Sequence, residues 1–296
     1  MNVELMGVNP TTMTIFEAVV ASMGVVRVDQ DSLEELVVGT AKADGSEYTG
    51  TDVRSEDAGC PILERLGLPI WTEERKRPQL LGTTARMVLY DPLDGTHYFK
   101  IGAYGVTVIA SVVDDRGAVI ACVVGDIDKN RIFFASKGCG TWVFISTGDL
   151  ERNITTARRC RVSKVEKGRK TISIDLTTGY KKNGYRHMSD AVYGLLFARL
   201  FGLYKVQIGP NGINHVLVAL GRRGVVGSIT TALGGPWDVA PVLLILEAGG
   251  FAMGYWNGKP VDPVLVMKYN MLVTAASESE LENLSRHLLE SCYGAK

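Results

Sequence analysis

The chain has 296 residues, 46% of them hydrophobic and 22% charged, with 32 Lys and Arg balanced by 32 Asp and Glu. This composition excludes a disordered, collagenous or fibrous chain, and the zero net charge removes any global field toward nucleic acid or an anionic membrane. About 75% of the unfolded surface can be buried at this length, so neither disulfides nor a structural zinc is needed. The five widely spaced cysteines, Cys60, Cys122, Cys139, Cys160 and Cys292, form no C-x-x-C pair and read as reduced, mostly buried thiols.

The first residues carry no basic region followed by a long apolar stretch, and no uninterrupted run of 18 apolar residues occurs, so a cytoplasmic protein without a membrane partner is expected. The sequons at Asn153 and Asn283 are then chance matches. Met13, Phe16, Val19, Val20 and Met23 follow helical spacing, with Thr11 or Thr12 as N-cap. Residues 47–50 read as a loop, and Val53, Ala58, Ile62, Leu63 and Leu66 predict a second helix that starts late or kinks at Pro61.

Residues 75–78 form a basic, proline-ended loop, and Met87 to Tyr90 is a buried strand ending in a turn at Asp91-Pro92. The runs 104–113, 118–124, 131–135 and 141–145 predict a meander of antiparallel strands. Residues 152–170 carry eight Lys or Arg against the single acid Glu166, most simply a solvated connector. Beyond it, strands at 171–176, 204–208, 225–229 and 271–275 alternate with helices near 189–200, 213–220, 239–248 and 278–292. The expectation is an α/β protein in one domain over 1–296, an α+β half with a mainly antiparallel sheet (1–150) followed by an α/β half (151–296).

Asp91-Pro92-Leu93-Asp94-Gly95-Thr96 runs an apolar strand into two carboxylates separated by a rigid proline. Two buried acids need partners, and the turn lets both carboxylates and the Leu93 carbonyl converge as hard oxygen ligands suited to Mg²⁺. Gly95, Thr96 and His97 offer successive backbone N–H groups to an anion. Taken alone, such a turn is also read as a capped loop, Glu73-Glu74 as an exposed pair, and Asp238 of Trp237-Asp238 as the N-cap of an apolar helix.

In these elements and their order, the sequence resembles the inositol monophosphatase and fructose-1,6-bisphosphatase superfamily of Mg²⁺-dependent, lithium-sensitive phosphatases. Thr51-Asp52 is similar to its T-D element, Glu73-Glu74 to its acidic pair, Asp91 to Thr96 to D-P-[IL]-D-G-[TS], and Trp237-Asp238-Val239-Ala240 to W-D-x-A. Glu247 to Gly250 and Gly258 to Asp262 resemble its E-A-G-G and G-x-P-x-D segments, so the likeness spans about residues 50–275. Residues 254–260 only superficially resemble a P-loop, with Pro260 where Ser or Thr must bind Mg²⁺.

The resemblance implies a layered αβαβα sandwich with the metal site between the halves, and hydrolysis of a phosphoric monoester: an inositol phosphate, a sugar bisphosphate or a 3′-phosphonucleotide. Carried over residue by residue, it implies that Glu73, Asp91, the Leu93 carbonyl, Asp94 and Asp238 hold two or more Mg²⁺ ions. The attacking water passes its proton to Thr96 Oγ or Glu74, Asp52 orients Thr96, and the N–H groups of Gly95 and Thr96 hold the phosphate. Because the family often dimerises, a homodimer is expected. The competing reading is a non-catalytic relative that binds a phosphorylated metabolite or a protein partner.

Departures concern the substrate. Pro241 follows W-D-x-A and fits if it lies in the first turn of a helix opened by Asp238. Thr72 replaces a glycine before the acidic pair, and Thr231 stands where inositol-selective members carry an acid. The stretch 207–214 lacks the small serine such enzymes often use, so inositol phosphate is not favoured. Arg75, Lys76, Arg77 and the basic residues of 158–170 are either a second phosphate site or surface charge. His97, His187, His215 and His287 have neither H-E-x-x-H nor triad spacing and read as satisfied or exposed side chains. No G-x-S-x-G nucleophile motif occurs.

Overall fold

A computed structural model describes residues 3–32, 40–41, 47–74, 86–163, 170–175, 190–221, 224–230, 235–266, 268–269 and 271–294. Helix α1 (Pro10–Asp31) starts where Asn9 accepts the Thr12 N–H at 3.0 Å, with Pro10 pre-set at the first helical position. It has the length and apolarity of a membrane span. Its Ile15, Phe16, Val19, Met23 and Val26 are instead buried in the protein core, as in a core helix.

Short strands β1 (Thr40–Ala41) and β2 (Glu47–Tyr48) pair antiparallel, and helix α2 (Gly50–Leu63) begins at once. The loop expected over 47–50 is therefore strand and helix start. The reason is a capping box: Thr49 Oγ1 accepts the N–H groups of Thr51 and Asp52, and Asp52 Oδ2 accepts the Thr49 N–H at 2.6 Å. The helix thus starts early, not late, and Pro61 is accommodated in its last turn before Gly67 stops the chain at φ 63°.

Strands β3 (Ile70–Thr72), β4 (Met87–Asp94), β5 (Thr107–Val113), β6 (Val119–Asp126), β7 (Arg131–Ser136), β8 (Thr141–Ile145) and β9 (Arg158–Arg159) form one seven-stranded sheet in that order. Only the β3–β4 pairing is parallel. Helices α3 (Thr96–Lys100) and α4 (Leu150–Thr155) lie in its connections. Its alternate faces are both covered: Val88, Tyr90, Val108, Ala110 and Val112 share a core with α1 and α2, while Leu89, Ile109, Val124 and Phe133 join a second core. Two-sided burial is why these strands read as continuous apolar runs.

The turn expected at Asp91-Pro92 is a bulge. Strand β4 runs on to Asp94, and its pairing with β5 slips so that Asp91 faces Ile109 and Asp94 faces Thr107. Pro92 has no N–H for the ladder, so the strand accommodates one extra residue there.

The second sheet contains β10 (Thr171–Asp175), β11 (Lys205–Ile208), β12 (Val225–Thr230), β13 (Phe251–Trp256), β14 (Lys259–Val261) and β15 (Met271–Ala275), in the order β11-β10-β12-β15-β13-β14. Strands β10, β11 and β12 are parallel; the others pair antiparallel. Helices α5 (Asp190–Phe201) and α8 (Glu278–Tyr293) cover its outer face with a core of Ile172, Ile174, Leu196, Leu284 and Leu288. Helices α6 (Asn211–Leu220) and α7 (Val242–Glu247) fill the layer between the sheets. The result is the expected mixed α/β sandwich of two sheets and three helical layers.

The β13–β14 hairpin was not expected from the sequence. Helix α7 is shorter than expected, since Trp237 and Asp238 lie in a separate 3₁₀ turn, Pro236–Asp238, and Pro241 sits just before α7 rather than inside its first turn. Glu247, at the end of α7, accepts the Gly138 and Gly140 N–H groups at 2.7 and 2.8 Å and fixes the β7–β8 turn to the middle layer.

Candidate metal and phosphate site

The bulge in β4 delivers two acids to one place. Asp91 Oδ1 accepts the Leu93 N–H at 2.9 Å, which closes the local turn. Asp94 Oδ2 accepts from Thr107 Oγ1 at 2.6 Å and from the Gly212 N–H at 2.9 Å, so strand β5 and the start of α6 hold it. The bulge is braced from behind, where Ser55 Oγ donates to the Pro92 carbonyl at 2.6 Å and Tyr90 Oη bonds to Ser22 and to the Ser55 carbonyl.

Asp238 comes from a distant segment. Its carboxylate accepts the Gly235 N–H at 3.0 Å, so it caps its own 3₁₀ turn and not the helix that follows. A Cβ on Gly235 would lie 2.2 Å from the Trp237 ring, which is why glycine stands there. One carboxylate oxygen from each of Asp91, Asp94 and Asp238 lies within 4.8 Å of the others, and all three residues are buried.

Burial strips water from the Asp91 carboxylate and, with repulsion from Glu73, Asp94 and Asp238, pushes it well above the ordinary carboxylate range. Asp238 is raised well above that range by burial and then by Asp94 and Glu73. Asp94 is pushed up to about 6 by burial, moderated by its bonds from Thr107 and Gly212. Among the described residues no Lys or Arg forms an ion pair with Asp91 or Asp94. Three hard oxygen donors held together against their own repulsion fit a divalent cation such as Mg²⁺, which would supply the missing positive charge.

Glu73 lies outside that close set but acts on Asp52, Asp91, Asp94 and Asp238 through its charge. Its N–H donates to the Tyr90 carbonyl at 3.1 Å, so the β3–β4 pairing brings it alongside the bulge. Thr72, before it, donates to the buried carboxylate of Glu56 at 2.5 Å, a contact that the glycine usual at this position could not make. Glu74 follows at the end of this segment, half-buried.

Gly95 takes the left-handed conformation, φ 90°, and a Cβ there would lie 2.7 Å from Pro210. It opens the short helix α3, so the first N–H groups of that turn lack helical partners. Thr96 Oγ1 donates to Asp52 Oδ1 at 2.8 Å and lies 3.2 Å from the Leu93 carbonyl oxygen. Burial raises Asp52, against the bonds it accepts from Thr49 and Thr96. The structure thus joins Asp52, Thr96, Leu93, Asp91, Asp94 and Asp238 in one cluster drawn from α2, the β4 bulge, α3 and the 3₁₀ turn.

Sequence reasoning did not single out two supports of this cluster. Thr107 is one, and its signal is only a threonine at the start of a buried strand. His215 is the other: it is fully buried on α6, and its Nε2–H donates to the Asp238 carbonyl at 3.2 Å. Burial lowers its pKa to about 4, so it stays neutral. His97 is exposed and His287 half-buried, while His187 lies outside the described residues.

Arg158 and Arg159 form edge strand β9, five strands from β4 in the sheet order. That is roughly 24 Å across the sheet, so they do not line the acidic cluster. Lys170 pairs with Glu280 of α8. Residues 75–77, 164–169 and 231 lie outside the described residues.

The inositol monophosphatase family model matches residues 13–292, and the chain belongs to that family. The solved extragenic suppressor protein suhB from Bartonella henselae is similar at a TM-score of 0.76 and 19% identity, over 95% of this chain and 98% of that one. Inositol monophosphatase from Anabaena (Nostoc) sp. PCC 7120 gives 0.70 and 22% identity over 94% and 95%. CysQ from Bacteroides thetaiotaomicron, a bacterial member of the same family, gives 0.65 and 19% over 90% and 97%. No curated protein sequence matches the chain. Family membership supports a phosphatase acting on small phosphorylated compounds, in a family that is generally metal-dependent.

Proposed function

We propose that this protein is a Mg²⁺-dependent phosphomonoesterase, one phosphatase domain over its whole length, cytoplasmic and homodimeric. Its substrate is a small phosphorylated metabolite: an inositol phosphate, a sugar bisphosphate or a 3′-phosphonucleotide. The observation that supports this most is the convergence of Asp91, Asp94 and Asp238, three buried acids from two distant segments, within 4.8 Å. Clustered like charges are costly to bury unless a function requires them.

Asp91, Asp94 and Asp238, with Glu73 and the Leu93 carbonyl, would hold two or more Mg²⁺ ions. When bound, such ions neutralise phosphoryl oxygens, lower the pKa of water and stabilise the leaving alkoxide. The N–H groups of Gly95 and Thr96 bind phosphate oxygens at the start of α3. Thr96 Oγ1 donates to Asp52, so its lone pairs face away and can accept a proton from the attacking water while its own proton passes to Asp52 Oδ1. Burial makes Asp52 a better proton acceptor than an exposed aspartate. Glu74 is the alternative acceptor.

The test is phosphate release from inositol 1-phosphate, fructose 1,6-bisphosphate, 3′-phosphoadenosine 5′-phosphate and NADP, with Mg²⁺ or with chelator, beside Asp91→Asn. Release that needs Mg²⁺ and disappears in the folded variant is expected for at least one compound. Turnover that survives both chelator and substitution rejects the site.

A further inference from the structure

Strands β3 and β4 each pass from an apolar residue to an acid on the face that looks toward the second sheet. On β4 these are Leu89, in the core between the sheets, and Asp91, whose register partner Ile109 lies in that same core. On β3, Trp71 is the register partner of Leu89 and packs against this core. Glu73 follows two residues later, where its N–H still bonds the Tyr90 carbonyl at 3.1 Å. Residues two apart on a strand share a face, so Trp71 and Glu73 are neighbours on one arm of the acidic cluster.

The other arm comes from a distant segment. Trp237 immediately precedes Asp238 in the 3₁₀ turn and is 3% exposed. Its ring lies against Gly235, whose N–H the Asp238 carboxylate accepts. The rings of Trp71 and Trp237 meet edge-to-face, with centroids 5.9 Å apart and planes at 84°, an arrangement that aromatic quadrupoles favour. The two arms are thus joined by a ring contact that lies next to Asp238 on one chain segment and close to Glu73 on the other.

Both indoles carry a buried N–H, and among the described residues neither has a hydrogen-bond partner. A buried donor without an acceptor destabilises a fold, and Phe or Leu would fill a core without that cost. No hydrogen bond orients either ring, so packing against each other and against Gly235 does. The arms they join repel each other, since the charge of Glu73 is among those that raise Asp238. We propose that Trp71 is a positioning residue for the metal site: seated against Trp237, it sets the spacing between Glu73 on β3 and Asp238 on the 3₁₀ turn. It acts through Trp237 and not as a ligand, because an indole N–H is only a donor. This rests on the metal-dependent phosphatase reading and deepens it.

The experiment titrates the metal-free protein with Mg²⁺ in a calorimeter, so the readout needs no turnover. Trp71→Leu should weaken Mg²⁺ binding about ten-fold, the scale of loss when groups that orient metal ligands are removed. Trp71→Phe, which keeps a ring for the edge-to-face contact, should recover affinity to within about three-fold of wild type. Far-ultraviolet circular dichroism of the wild type should carry an exciton couplet from the paired indoles. Both variants should lose it, whereas Trp256→Phe, at an exposed ring, should retain it. If Trp71→Leu does not fold, Trp71→Met is read in its place.

A purely structural role would lower the melting temperature in chelator and leave the Mg²⁺ affinity of the folded protein unchanged. That result overturns the proposal, as does a Trp71→Phe variant no better than Trp71→Leu, or a wild-type spectrum without the couplet. If the wild type hydrolyses none of the phosphate esters named above, yet Mg²⁺ binding falls in Trp71→Leu and returns in Trp71→Phe, the phosphatase reading fails and the positioning role stands. A wild type that binds no Mg²⁺ overturns both.

Discussion

One cross-strand row of the first sheet holds two buried aspartates in opposite circumstances. Thr107 of β5 faces Asp94 on one side and Asp126 of β6 on the other, and Asp126 in turn faces Arg131 of β7. Asp126 is fully buried and is matched by Arg131, whose Nη2 and Nε donate to it at 2.6 and 3.2 Å. Asp94 has the hydroxyl of Thr107 and the amides of Asn211 and Gly212, but its charged neighbours are other acids. Burial alone therefore does not mark a site here; the difference is a counter-charge supplied at Asp126 and withheld at Asp94.

That contrast can be broken from either side. The largest effect is expected from Asp238→Asn, which keeps the acceptor for the Gly235 N–H but removes a charge from the cluster. Activity should fall on the order of 10³-fold, several kcal/mol of lost charge stabilisation, while the melting temperature in chelator rises because like-charge repulsion is relieved. A variant less stable than wild type in chelator would contradict the view that the cluster is held at a cost.

Arg131→Met should do the reverse. It strands Asp126, and unfolding should show a loss of about 3 kcal/mol with kcat at low temperature little altered. Next in size, Thr96→Val should lower kcat by about 10²-fold, with Thr96→Ser retaining most of it; equal losses in both would assign Thr96 a packing role instead. His215→Leu removes only the donor to the Asp238 carbonyl. It should raise the Mg²⁺ concentration for half-maximal activity about ten-fold, as for other residues that orient metal ligands, and an unchanged Mg²⁺ requirement would limit His215 to the core.

The smallest expected effect is on pH dependence. In chelator the unfolded aspartates ionise near 3.8, whereas folding pushes Asp94 up to about 6 and Asp91 and Asp238 well above the usual range. The folded state thus keeps protons that the unfolded state has released. Its contribution to stability is full below about pH 3.8 and is lost as pH rises through about 6. The gain in melting temperature on adding Mg²⁺ should therefore grow between about pH 5 and pH 8, measured as the difference between Mg²⁺ and chelator at each pH. A gain that shrinks over that range would show that the acids do not need to ionise to bind the ion.

Much of the fold was legible because its signals are local. The antiparallel meander alternates with turn residues, and the α/β half alternates strand with amphipathic helix. The three acids that the fold brings together, Asp91, Asp94 and Asp238, were legible because Asp91 to Thr96 and Trp237-Asp238 occur, with Glu73-Glu74, in one order that resembles the family's. What the sequence hid lacks periodicity or uses residues against type. Glu47–Tyr48 is a two-residue strand, too short to show alternation. The β13–β14 hairpin contains Gly254 and Pro260, poor strand formers in general, and Pro260 is tolerated because β14 is the edge of its sheet. Pro92 suggested a stop, whereas β5 pairs with β4 on both sides of the bulge, at Asp91 and at Asp94, and keeps it extended.

By itself, then, the sequence determined which chemical groups are available: hard oxygen acids, a proline between two of them, a glycine that must take positive φ, and the covered apolar strands that carry them. Tertiary structure decided which of those groups meet. Asp238 reaches Asp94 across more than a hundred residues, Thr107 chooses Asp94 while Arg131 chooses Asp126, and His215 meets the Asp238 carbonyl only because α6 is wedged between the sheets. Residue type and spacing act through local geometry, which the chain encodes directly, whereas a charge is neutralised or left waiting according to neighbours that only the packed layers bring together.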